Sequence, residues 1–179
     1  IRIVATYSVG FEHLDIPSLK VRNITATNTP DVLSAATAYV AFMLILCASR
    51  RAGEAERMVR DGKWEGWTPT QLLGQGLQDK HLGILGMGNI GREVAARARG
   101  FGMKIHYFNR SRLNKDLEKD AVYHKSLESL LSVSDFFSIN CPATKETKNI
   151  INKNTIKYFP DGAVVSNSAR GDMIDDDEM

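Results

Sequence analysis

Gly86-Met87-Gly88-Asn89-Ile90-Gly91 has the composition and spacing of a site that can hold phosphate. In a dinucleotide site the first glycine allows a tight turn and the second lets bare backbone approach a pyrophosphate. The third lets the following helix pack closely on the strand before it. Amides at the start of that helix carry the positive end of its dipole, so an anion is stabilised there. A second candidate is Arg170 within Asn167-Ser168-Ala169-Arg170-Gly171. A guanidinium stays charged and presents paired donors to a carboxylate; taken alone, this one reads more simply as a surface arginine. A third is Asn109-Arg110-Ser111-Arg112, a polar and basic run without a carboxylate until Asp116. Cys47 and Cys141 lie far apart with no metal-ligand spacing, so no metal site is expected. They read as buried, reduced thiols in a cytoplasmic protein.

The elements around the glycines have the order such a site needs. Leu82-Gly83-Ile84-Leu85 reads as a strand, Arg92 to Ala98 as a helix, and Lys104 to Phe108 as a second strand. That context makes the glycine spacing far more specific than a lone G-x-G-x-x-G. Upstream, Ile1 to Tyr7 reads as a buried strand ended by a turn at Ser8-Val9-Gly10. After the break at Thr29-Pro30-Asp31, the pattern from Val32 to about Arg60 predicts one long helix, apolar all round as far as Cys47. Such a helix must be covered on most sides by another domain or subunit. The segment from Asp61 to Gln78, with Trp64 and Trp67, reads as an irregular arm reaching another domain or a partner chain; an arm folded back on its own domain stays open. Downstream, short strands are expected at 121–124, 135–140 and 163–167. Helices are expected at 126–131, capped by Ser126, and at 152–159. Strands and helices alternate, which implies an α/β fold with a doubly wound parallel sheet and ligands at the carboxyl ends of the strands. Gly86, Asn109, Cys141 and Ser168 then open onto one edge.

With 179 residues the chain can form one substantial core and part of a second. A net charge of +2 is too small to suggest nucleic acid or an anionic membrane as partner. The longest apolar stretch, Ala35 to Ala48, falls short of the ~20 residues of a membrane span. Ile1 leads into a strand-like segment without a charged start or a cleavage site, so no secretory signal is expected there. The absence of an initiator methionine, and an acidic run at Asp175-Asp176-Asp177-Glu178 that reads as the first turn of an unfinished helix, give the expectation of an internal piece of a longer protein.

Together, Ser8-Val9-Gly10-Phe11-Glu12-His13-Leu14-Asp15, Asn28-Thr29-Pro30-Asp31-Val32-Leu33, Gly83 to Gly91 and Asn167 to Gly171 resemble the D-isomer-specific 2-hydroxyacid dehydrogenases, with glyoxylate and hydroxypyruvate reductases most similar. The resemblance implies a Rossmann-type dinucleotide domain at 81–179, truncated at its C-terminus. It also implies a remnant of the substrate domain at 1–30, with a linking helix and dimerisation arm at 31–80. It implies that Val9 and Gly10 contact the substrate carboxylate and that Arg170 binds a small 2-oxo acid and polarises its carbonyl. Cofactor contacts fall to Gly86, Gly88, Asn89, Ile90, Gly91, Asn109, Arg110, Ser111, Arg112, Cys141, Pro142, Ser168, Ala169 and Arg170. The family's acid–base histidine and its glutamate lie downstream of this stretch. None of the four histidines present replaces it, although His13 falls near the substrate loop. Two positions depart from the family pattern: Tyr39, where an acidic residue is common, and Asp79, where glycine is common.

In NAD-binding members of this fold an acidic residue ends the second strand and accepts from the ribose hydroxyls. Here Asn109 stands in that place and Arg110, Ser111 and Arg112 follow, with no later carboxylate run that neutralises them. The expected cofactor is NADPH, with NAD possible. The expected activity is hydride transfer to a 2-oxo acid such as glyoxylate or hydroxypyruvate by a cytoplasmic homodimer, of which this piece binds without turning over. The alternatives are an NAD(H)-binding corepressor-type module and an NAD-linked relative such as a phosphoglycerate or formate dehydrogenase.

Overall fold

A computed structural model describes residues 1–178. Its first elements are β1 (Ile3–Ala5), α1 (Ile16–Val21) and β2 (Thr25–Thr27), and the two strands pair in parallel as a small sheet of their own. Asp15 starts α1 by accepting from the Ser18 amide at 3.1 Å and the Ser18 hydroxyl at 2.5 Å, with Pro17 in the first turn. This aspartate–proline signal was legible, yet α1 and β2 have no place in the sequence reading. β1 is also shorter than expected and is not buried, since only β2 pairs with it and Ile3 faces solvent.

The single helix expected from Val32 to Arg60 is two helices, α2 (Ser34–Ser49) and α3 (Ala52–Arg60), bent by 70°. The break has a tertiary cause. The Ser49 carbonyl accepts from the Gln75 amide at 2.8 Å, and Arg51 turns into the left-handed region with φ 54° before α3 begins. Ala38, Ala41, Phe42 and Ile45 of α2 are buried, whereas Tyr39, Val40, Met43 and Leu44 on its other side are exposed. Cys47 is exposed as well, contrary to the expectation of a buried thiol, because it lies off the buried face. The second half of the arm returns to its own domain through Gln75 and the buried Leu77, while Trp64 and Trp67 stay exposed, Trp67 at 76%. Among the described residues no single helix is long and apolar enough to cross a membrane.

The main sheet follows the predicted alternation. Its strands are β3 (His81–Leu85), β4 (Lys104–Phe108), β5 (Val122–Tyr123), β6 (Phe136–Ile139) and β7 (Val164–Asn167), all parallel, in the order β5-β4-β3-β6-β7. Leu82 and Ile84 join one core with α2 and with α4 (Asn89–Gly100), whereas Leu85, Phe137 and Ile139 join a second with Leu130 and Leu131. The period-two alternation of the strands divides the two cores. α5 (Lys115–Glu118), capped by Asn114, is a helix that has no place in the sequence reading. Ser126 caps α6 (Leu127–Leu131) as expected. α7 (Lys153–Ile156) is shorter than expected and opens with a capping box at Asn152. A 3-10 turn, Asp176–Glu178, occupies the acidic run.

Three of the histidines form a chain on the sheet. His81 Nδ1 lies 2.8 Å from His106 Nε2, His106 Nδ1 lies 2.9 Å from His124 Nε2, and His124 Nδ1 lies 2.8 Å from the Ser129 hydroxyl. They tie β3, β4, the end of β5 and α6 together.

Candidate active site

The glycine loop lies between β3 and α4, where the strand order reverses between β3 and β6. Gly86 has φ 92°, and a Cβ there would stand 2.6 Å from the Cys141 amide nitrogen, so only glycine lets the chain leaving β6 cross the loop. Gly91 sits under the Gly86 carbonyl, which a Cβ would strike. Gly88 faces open space and, as the residue before α4, has no side chain to cap it. The first helical bond runs from the Arg92 amide to the Gly88 carbonyl at 3.0 Å, which leaves the amides of Asn89, Ile90 and Gly91 without acceptors among the described residues. An uncapped helix start behind a bare glycine is a cradle that fits a diphosphate.

Asn109 belongs to this loop more than to the cleft. Its Oδ1 accepts from the Met87 amide at 2.7 Å, locking the turn to the end of β4. The Asn89 side chain donates to the Asp31 carboxylate and accepts from Arg92 at 2.5 Å, so its backbone amide is what remains for a ligand. Arg110 and Ser111 are exposed. Arg112 is not free: its Nε and Nη2 bond the Glu118 carboxylate at 2.9 and 2.8 Å. Glu118, only 4% exposed, also accepts from the Tyr107 hydroxyl at 2.7 Å, and that hydroxyl receives the Leu113 amide at 3.1 Å. The Arg112 guanidinium, then the Tyr107 hydroxyl, holds the Glu118 carboxyl below its ordinary value. The expectation that no carboxylate neutralises the basic run is therefore corrected. The one-turn helix α5 brings Glu118 back beneath it, a return that six residues of polar sequence do not announce.

Val9 and Gly10 lie in a loop whose carbonyls are all occupied. Tyr7 receives the Thr29 hydroxyl at 2.7 Å, Ser8 the Thr29 amide at 3.2 Å, Val9 the Asn28 side chain at 2.8 Å and Gly10 the Ser8 hydroxyl at 2.7 Å. The amides of Val9 and Gly10 have no acceptor among the described residues. Arg170 reaches this loop from the end of β7. Asn167 shapes its turn, accepting from the Ala169 amide at 3.0 Å and donating to the Arg170 carbonyl at 2.7 Å. The guanidinium Nη2 passes so close to Gly10 that a Cβ there would lie 2.5 Å away, and it donates to Glu12 at 3.1 Å. The guanidinium thus lies over Gly10, in a loop with two amides that have no acceptor among the described residues, and donors of this kind suit a carboxylate. Ser8, Asn28 and Thr29, which build this loop, lie within the quoted motifs, but their bonding was not legible without the fold.

Asn109, Gly86, Cys141 and Ser168 follow the parallel strands β4, β3, β6 and β7 at the same edge. Burial pushes the Cys141 thiol up to about 11, so it stays protonated at neutral pH. Pro142 receives the Thr147 hydroxyl on its carbonyl, at 2.8 Å. Ser168 and Asn167 line a groove against Leu33, Thr37, Val40 and Leu44. Residues 42–179 match the model for the NAD binding domain of D-isomer specific 2-hydroxyacid dehydrogenases. The chain belongs to that family. It is 48% identical over 179 residues to the glycerate dehydrogenase of Hyphomicrobium methylovorum, covering 99% of this chain and 56% of that protein. To the glyoxylate reductase of Thermococcus litoralis it is 43% identical, covering 98% of this chain and 54% of the relative. A glyoxylate reductase structure from Paecilomyes thermophila superposes with a TM-score of 0.91 at 39% identity, covering 99% and 53% of the two chains. The chain thus spans about half the length of the curated relatives it matches. In this family setting the parallel sheet is a Rossmann-type dinucleotide domain.

Proposed function

We propose that this chain is the cofactor-binding and carboxylate-binding part of an oxidoreductase that reduces a small 2-oxo acid, such as glyoxylate or hydroxypyruvate, to the D-2-hydroxy acid with NADPH. The observation that carries the reading is the placing of Arg170 over Gly10, in the loop whose Val9 and Gly10 amides have no acceptor among the described residues. When bound, the nicotinamide supplies hydride. The chain's own residues bind and orient: the α4 amides face the diphosphate, Val9 and Gly10 contact the substrate carboxylate, and Arg170 shares that carboxylate and polarises the oxo group. The acid–base histidine and its glutamate are assigned to the rest of the protein, so this stretch alone binds without turning over. His81, His106 and His124 are engaged in their own chain, which supports that assignment. A homodimeric parent belongs to the same reading, supported by the exposed face of α2 and by Trp64 and Trp67. A cytoplasmic setting does too, supported by two free cysteines.

The NADPH preference rests on Arg110 and on the edge of Arg112 not used by Glu118. Charge-assisted bonds to a 2′-phosphate are worth about 1.5–3 kcal/mol each, a tenfold preference or more from one of them. The Arg112–Glu118 pair specifically favours the second reading, an NAD-linked relative, because it offsets one of the two positive charges. Titration of this chain with NADPH and NADH, followed by cofactor fluorescence, separates the two. NADPH is expected to bind at least tenfold more tightly, and Arg110→Ala with Arg112→Ala to bring it to the NADH level. Equal binding, unmoved by the substitutions, overturns the NADPH assignment in favour of the NAD-linked reading.

A further inference from the structure

Arg170 already has a carboxylate. Its Nη2 donates to Glu12 Oε2 at 3.1 Å, and both atoms lie where a Gly10 Cβ would stand, each 2.5 Å from that point. The missing side chain of Gly10 is thus what admits the ion pair against the loop whose Val9 and Gly10 amides are unbonded. Glu12 has no structural duty comparable with that of Asp15 on the same loop, whose carboxylate caps α1. Both partners of the Arg170–Glu12 pair are about half exposed, so the pair can open without disturbing the core. The Glu12 carboxyl is also held below its ordinary value, first by its own backbone amide and then by Arg170 and His13, so it is ionised at neutral pH. A neutral ion pair attracts a second carboxylate weakly, and a guanidinium edge turned to Glu12 is not available to another anion.

We propose that Glu12 is an internal competitor for Arg170: it holds the guanidinium over Gly10 and gives it up to the carboxylate of an arriving 2-oxo acid. The proposal rests on the functional reading above and adds to it a positioning residue that sets substrate affinity. While the site is empty, Glu12 keeps Arg170 in place; on binding, the two carboxylates exchange on one guanidinium.

The test uses the full-length protein. Glu12→Gln removes the charge with little change in shape, and Glu12→Asp shortens the reach. Both are expected to lower KM for glyoxylate about two- to fivefold, the size an exposed ion pair supports. The inhibition constant of oxamate, an unreactive compound with the same carboxylate, should fall by the same factor, while the Kd for NADPH serves as the check on folding. In an Arg170→Ala background, Glu12→Gln should leave oxamate binding where Arg170→Ala put it. A KM and an oxamate constant that stay unchanged or rise in both single variants overturn the competitor role. An Arg170→Ala protein that keeps the original KM instead overturns the assignment of the carboxylate site itself.

Discussion

At the scale of single residues, several side chains serve the site by holding other groups. Asn109 fixes the glycine turn through Met87, and Asn28 and Thr29 occupy the carbonyls of the Val9–Gly10 loop. The types of these residues are visible in sequence; their partners, up to 22 positions away, are not. Asp79 shows the opposite case. Its φ of 64° lies in the left-handed region, which explains physically why glycine suits the position. Asp79→Gly is expected to raise unfolding stability by up to ~1 kcal/mol, and Asp79→Val to lower it by ~1–2 kcal/mol. Urea denaturation of the two variants measures this, and equal stability of both would refute the left-handed demand.

At the scale of elements, three neighbouring strands, β3, β4 and the end of β5, are joined by imidazoles. Within the chain each inner ring donates to one neighbour and accepts from the other, so an added proton on His106 removes an acceptor. Burial, followed by the charges of His81, His124 and Lys104, pushes His106 down from 6.5 to about 4, and burial also lowers His124. Because the folded value lies below the unfolded one, this stability is fully present above pH 6.5. It is lost as pH falls from there towards 4, by at most about 1.4 kcal/mol per pH unit for one ring. Chemical denaturation between pH 7 and 4 should show that slope, and His106→Gln should flatten it. An unchanged acid limb in the variant would place the loss elsewhere, among the carboxylates. The break between α2 and α3 belongs to this scale as well. Nothing in Ser49-Arg50-Arg51 stops a helix by propensity; the Gln75 amide, 26 positions on, does.

At the scale of the whole molecule, α2 is apolar on both sides yet buries only one of them against α4 and β7. Val40, Met43 and Leu44 face outward beside an arm whose tryptophans are also exposed. Exposed apolar surface of this kind supports the homodimer proposed above. In the full-length protein, Val40→Lys with Leu44→Lys is expected to convert a dimer into a monomer by sedimentation velocity. Folding should survive, because the buried Ala38, Ala41, Phe42 and Ile45 are untouched. A variant that remains dimeric assigns the interface to another surface, and a monomeric wild-type protein removes the dimer proposal.

Sequence by itself determined the alternation of strands and helices, the glycine loop between β3 and α4, and the edge on which the candidate residues gather. These follow from local rules: side-chain periodicity, glycine sterics and the parallel order that β-α-β connections impose. Only the tertiary structure decided that Glu118 returns to Arg112, that Glu12 occupies Arg170 and that the long apolar pattern is two helices. Each of these is a pairing of groups whose partner is chosen by where the chain folds back. The Arg170–Glu12 contact spans 158 positions, and no local pattern of residue types encodes such a meeting.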